Sequence, residues 1–309
     1  MISLTVTISS SVSVCNVRLL SVFCLCLFKC GPSASCIWAV IGIFAYKQNI
    51  TIQYDVSRNM PSNNIILDTP FHLELMRVPA GEFLIGSDPS KDNFAQPDEL
   101  PQHSVYLSEF YISKYEITNT QYSVYASTNN IVFEIPAGQN DFPKVFLSWY
   151  EAVAFCEWLS HIIGRNVHLP SEAEWEKAAR GSAGRLYPWG DPWDRTALNS
   201  NDHGIGEMTP VGKHSPAGDS PYGVADLAGN VWEWTADWYG TTTYEEHFKS
   251  GLLLENPTGP STGTHRVLRG GSYYFRQGGT RAAKRFKYIP ASRCYDIGFR
   301  IVVDSQPDA

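Results

Sequence analysis

Cysteine is scarce where a folded core is to be expected. Of the seven cysteines, Cys15, Cys24, Cys26, Cys30 and Cys36 precede residue 40, leaving Cys156 and Cys294 in the rest of the chain. A disulfide framework is thereby excluded as what holds this protein together. The two remaining cysteines read either as a bridge in an oxidising compartment or as small buried hydrophobes. Clustered positive charge is also missing. The formal net charge is −7 with no dense Lys/Arg run, which argues against nucleic acid as a partner. Long apolar runs are lacking too: residues 19–28 and 36–46 each fall well short of the ~20 residues a helix needs to cross a bilayer. A single span over residues 19–46 buries Lys29 and Pro32, which is costly. Residues 1–59 therefore read as a signal or anchor segment, or as sequence upstream of a translation start at Met60. The first reading makes the protein exported or membrane-anchored, the second cytoplasmic.

What the chain does have is aromatic side chains and turn formers. Nine Trp, 16 Tyr and 15 Phe stand beside 24 Gly and 19 Pro, a composition suited to a loop-rich fold with an aromatic core. Residues 60–73 read as a linker, 74–303 as the domain and 304–309 as a tail. In MRVPAGEFLIGS, polar and apolar residues alternate around Gly81, predicting an opening hairpin. HSVYLSEFYIS keeps the period of two through Val105, Leu107, Phe110 and Ile112, and a helix is predicted after the cap Thr118. Ser148 with Glu151, and Ser171 with Glu174, are capping boxes that open the two main helices, the second stopping at Gly181. Beyond Gly181 the text is turns until strands at RVLRGGSYY and IGFRIVV.

Eight segments carry a resemblance, in order: LMRVPAGEFLIGS, YEITNTQY, LSWYEAVAFCEWL, LPSEAEWEKAARG, YPWGD, GVADLAGNVWEWTADWY, VLRGGSY and IGFR. Over residues 74–303 the chain resembles the sulfatase-modifying factor family, whose members include the formylglycine-generating enzymes. The resemblance implies an α+β, C-type-lectin-like domain with small antiparallel sheets. The family includes copper-dependent oxidases that convert a protein cysteine to formylglycine, and also non-catalytic relatives. It further implies a structural calcium site at Asp226, Gly229, Val231 and Glu233, the middle two through backbone oxygen. A second, weaker calcium site falls on Asn199, Ser200 and Asp202. The residues fit hard-cation chemistry, since Asp226 and Glu233 supply carboxylate oxygens. The alternative is that Asp226 caps a turn and Glu233 makes an ion pair.

The oxidase chemistry has no such support. Copper(I) wants a pair of thiolates, which the resemblance places shortly after GGSY. There the chain reads Phe275 and then the turn Gln277, Gly278, Gly279, so copper is not expected. The eight histidines (72, 103, 161, 168, 203, 214, 247, 265) show no i, i+4 pair or triad pattern, although non-heme iron ligands need only meet in space. What stands at the expected site is Ser272, Tyr273, Phe275, Arg276, Arg281 and Arg285. These suggest a groove for an anionic or extended peptide ligand, or arginines paired with internal carboxylates. Two functions follow. One is a calcium-stabilised binding or sensing module for a peptide or protein such as a sulfatase; the other is an oxidoreductase of the family with a divergent metal site.

Overall fold

The computed structural model describes residues 64–305. The expectations for residues 1–59, for the first part of the proposed linker and for residues 306–309 lie outside the described residues.

The fold is α+β. β1 (Asn64–Leu67), β2 (Leu73–Val78), β5 (Phe110–Ser113), β12 (Val302–Asp304) and β6 (Val167–His168) form a five-stranded antiparallel sheet in the order β1-β2-β5-β12-β6. Alternate residues of a strand face opposite sides, and here both sides are covered. Tyr111 and Val303 join a core with Phe155, Leu159, Trp234 and Phe299. Their neighbours Phe110, Ile112 and Val302 join another with Phe83, Val105, Trp175 and Val224. That is why all four residues of β5 are buried. Each large apolar side chain so buried contributes roughly 1.5–3 kcal/mol.

Three expectations are corrected here. Residues 64–67 are an edge strand paired with β2, with Ile65 buried, so the domain begins before residue 74. The segment around Gly81 is not a hairpin. β2 belongs to the five-stranded sheet, whereas β3 (Gly81–Ile85) pairs with β4 (His103–Leu107) in a second sheet. Alternation marks a strand but not its partner, and here Gly81 (φ +139°) redirects the chain from one sheet to the other. Nor are the small sheets wholly antiparallel: β8 (Leu254–Glu255) runs parallel to β4. In the third sheet, β10-β9-β7-β11, β11 (Ile297–Gly298) runs parallel to β7 (Trp232–Trp238). β9 (Arg266–Arg269) lies antiparallel between β7 and β10 (Phe286–Tyr288).

Four α-helices are present among the described residues. α1 (Asn119–Thr128), α2 (Trp149–Ile163) and α3 (Glu172–Arg180) each start with a complete capping box, on Thr118/Gln121, Ser148/Glu151 and Ser171/Glu174. α4 (Thr243–Ser250) was not expected, and its cap residue Thr242 makes no side-chain capping bond. α2 lays Ala152, Phe155, Cys156, Leu159 and Ile163 on the first core. α3 differs from the other three because eight of its nine residues are buried, including Glu172, Glu176, Lys177 and Arg180.

Candidate functional site

After β9 the chain turns at Gly270 and Gly271, both with positive φ. A Cβ on Gly271 would lie 2.6 Å from the Gly279 carbonyl oxygen, so the loop folds back on the short turn Gln277–Gly279. The side chains of this loop alternate in fate. Ser272 is buried and donates its Oγ to Asp296 Oδ2 at 2.9 Å. Tyr273 is buried, while Tyr274, 4.2 Å away between ring centroids, is exposed. Phe275 presents its edge to Trp232 at 5.0 Å and packs 6.0 Å from Phe286, which stacks on Trp232 at 5.0 Å. Phe275, Trp232 and Phe286 thus form one aromatic cluster beneath the loop. Arg276 points outward, with Asn201 Oδ1 at 3.4 Å and Asp202 Oδ1 at 3.9 Å.

Cys156 and Cys294 are both free. Cys156 is buried on α2, where burial pushes its thiol far above the usual range. Cys294 is half-buried beside Phe146, whose backbone N–H donates to its carbonyl.

Arg281 and Arg285 do not line a groove. Arg281 is bound by Asp92 and, through two bonds of 2.7 and 2.8 Å, by Glu99. Arg285 makes a two-pronged pair with Glu172 at 2.7 and 2.9 Å, and Arg269 reaches Glu172 at 3.0 Å and Glu176 at 2.6 Å. A buried charge needs a paired and hydrogen-bonded partner, and the planar guanidinium fork matches a carboxylate. α3 supplies those carboxylates. Burial alone would push Glu176 up, but Arg269 and Arg180 outweigh it and hold the carboxyl below its ordinary value. Of the basic residues expected in the groove, Arg276 is the one that reaches solvent.

The expected calcium ligands fall in one braced region, but they are not all free. Asn199 and Gly229 form a parallel bridge, and a Cβ on Gly229 would lie 2.1 Å from the Asn199 carbonyl oxygen. Asp226, with φ +56°, accepts the Gly212 N–H at 2.5 Å. Glu233 gives both oxygens to Arg300 at 2.6 and 2.7 Å, and one of them also to the Trp175 indole at 2.8 Å. As a member of that pair Glu233 does not fit the role of a free ligand. Val231 is buried between them in sequence. In the second set, Asp202 Oδ2 accepts the Gln277 N–H at 2.8 Å, and the Ser200 carbonyl accepts from His203 and Gly204. Asn199 Oδ1 and Ser200 Oγ, by contrast, are buried without partners.

One acidic residue here was missed. Glu116 is buried, its Oε1 accepts from Asn230, and its Oε2 has no partner. Burial, followed by repulsion from Asp226, pushes its carboxyl well above the usual range, and burial pushes Asp226 up to about 6. Three carboxylates thus share one guanidinium. Its one signal was a glutamate between Tyr115 and Ile117, a residue type rarely buried without a cation. No group of three His, Cys, Asp or Glu side chains suited to a metal occurs among the described residues.

The profile of the sulfatase-modifying factor enzyme 1-like domain matches residues 71–305. The formylglycine-generating enzyme of Streptomyces coelicolor is 30% identical over 294 residues, covering 74% of this chain and 89% of that protein. The serine/threonine-protein kinase pkn1 of Chlamydia pneumoniae is 34% identical over 254 residues, covering 75% of this chain. The match spans only 38% of that protein's length. Among solved structures, PvdO from Pseudomonas aeruginosa aligns with a TM-score of 0.67 at 25% identity, over 79% of this chain and 100% of that one. Treponema denticola variable protein 1 shares the fold, with a TM-score of 0.63 at 21% identity, over 79% of this chain and 100% of that one. This chain therefore belongs to the sulfatase-modifying factor family, alongside the formylglycine-generating enzymes.

Proposed function

We propose that this chain is a binding member of the formylglycine-generating-enzyme family that engages a protein or peptide partner without copper-dependent cysteine oxidation. The observation that carries the reading is Phe275, packed against Trp232 and Phe286 where a thiolate would be required. Copper(I) is a soft ion and a phenyl ring cannot replace a thiolate toward it. The surface left for a partner is the exposed edge of the same loop, with Tyr274 and Arg276 outward. With Arg269, Arg281 and Arg285 turned inward, that surface has one outward arginine and a tyrosine. It suits an extended peptide better than a strongly anionic ligand.

The test is an anaerobic copper(I) titration of the full chain against a competing chelator, followed by oxygen uptake with a cysteine peptide of sulfatase sequence. Saturable binding of that peptide with neither stoichiometric copper nor oxygen uptake is expected. Tight one-to-one copper with peptide oxidation would overturn the reading. It would favour the oxidoreductase alternative, which the extent of the match to the Streptomyces coelicolor enzyme supports.

Calcium as a structural staple belongs to the same proposal. It is supported by the gathering of three buried carboxyl groups, Glu116, Asp226 and Glu233, around the single guanidinium of Arg300, and by the unpartnered oxygens of Glu116 and Asn199. When bound, calcium would supply the missing positive charge and oxygen coordination there. A ligand that binds only the folded state raises its stability. The melting temperature should therefore rise in calcium relative to a calcium chelator; identical melts in both would remove calcium from the reading.

A further inference from the structure

Histidines that show no pattern in sequence meet in space. His203 and His214 lie 5.1 Å apart between ring centroids at an interplanar angle of 75°. His203 Nδ1 is 2.8 Å from the Arg195 carbonyl oxygen, and His214 Nδ1 is 3.0 Å from that of Thr196. A carbonyl only accepts, so each Nδ1 carries the proton and each Nε2 presents a lone pair in the neutral ring. Tying the far nitrogen to a backbone carbonyl is how ligating histidines are oriented on metals. His214 Nε2 is, in addition, buried with no hydrogen-bond partner, a state that calls for an explanation.

The spacing supplies one. Two imidazole nitrogens about 2.1 Å from a shared tetrahedral ion place their ring centroids about 5 Å apart. The pair His103 and His247 makes a useful contrast at 5.9 Å. There His103 Nδ1 faces the Pro101 carbonyl, and His103 Nε2 and His247 Nδ1 are both buried and unpartnered, so it is the wider spacing alone that sets this pair apart. The loops bearing His203 and His214 are also held together independently of the rings. A Cβ on Gly218 would lie 2.1 Å from the Ala197 carbonyl oxygen, and the Gly218 N–H donates to the His214 carbonyl.

We infer that His203 and His214 form a site for a divalent transition ion of the zinc or nickel class, bound through the two Nε2 atoms with water completing its shell. Imidazole nitrogen suits such ions, whereas calcium prefers oxygen, so this site and the proposed calcium staple are separate. Its failure would leave the binding-module reading untouched.

The test is titration of the chelator-stripped full chain with cobalt(II) in excess calcium, read by visible absorption, and with zinc by calorimetry. His203→Ala and His214→Ala are each expected to lose one equivalent of zinc and the corresponding cobalt band, while His247→Ala keeps both. Cysteines before residue 40 can take up metal as well, so the difference between parent and variant is the quantity read. Uptake unchanged in both variants would overturn the inference, as would its loss in His247→Ala alone. Circular dichroism matching the parent shows that the variants are folded; should either fail this, His203→Gln and His214→Gln repeat the measurement.

Discussion

Arg269, Arg281 and Arg285 lie inside the molecule, while Arg276, in the same stretch of chain, lies outside. The three inner guanidinium groups are locked to Glu172, Glu176, Glu99 and Asp92, while the outer one has loose contact with Asp202 at 3.9 Å. A run of positive charge in sequence has no direction of its own. Its direction is set by where the carboxylates are, and here most belong to α3 and to the loop that ends at Glu99. The chemistry of the face is therefore left to Tyr274, Arg276 and the aromatic cluster around Phe275.

The sharpest way to break the comparison is from the inside. Arg269→Met leaves Glu172 and Glu176 short of a partner, and should cost about 3–5 kcal/mol, measured as a shift in the urea midpoint. A smaller loss is expected from Phe275→Ala, which opens a cavity beside Trp232 in a half-buried cluster. Roughly 2–3 kcal/mol is expected, below the 3–5 typical of a fully buried phenylalanine. Destabilisation near zero would mean the ring is not part of the core.

Third is the tie between β6 and β12. Burial opposes the charge on His168, but the hydrogen bond to Asp304 and the nearby Glu174 prevail, raising its pKa to about 9. A raised histidine contributes stability that is fully present below its unfolded value of about 6.5 and is lost as pH climbs through 9. The stability difference between the parent and His168→Gln should therefore be largest in mild acid and vanish above pH 9; a flat difference would sink the assignment. Smallest of all is Arg276→Ala, which should stay within about 0.5 kcal/mol of the parent yet weaken partner binding. If it unfolds the protein instead, the division into inner and outer arginines fails.

Local features were legible in the sequence, and long-range pairing was not. Two capping boxes and the cap Thr118 were visible because a cap is a matter of residues three apart, as at Ser148 and Glu151; that Gln121 completes a third box emerged only from the fold. β7 passed as turns and tryptophans because WEWTADW is buried along most of its length and shows no clean alternation. That Gly81 joins two sheets, and that Arg285 meets Glu172, depends on contacts between distant parts of the chain. The family motifs were legible as well, because each is a short contiguous segment. Glu116, 110 residues from Asp226 in sequence, escaped because its neighbours exist only in the fold.

α3 deserves a final consequence. Its side chains reach the end of β3 through Glu176 and Gly86, β9 through Arg269, and β7 through Trp175 and Glu233. Lys177 donates to the carbonyls of Pro79 and Gly81. A helix anchored this way to two of the three sheets cannot open alone, so its amide hydrogens should exchange with solvent only when the whole domain unfolds. The nine-residue segment thus serves as an internal clock, whose deuterium uptake reads the global stability of the protein directly.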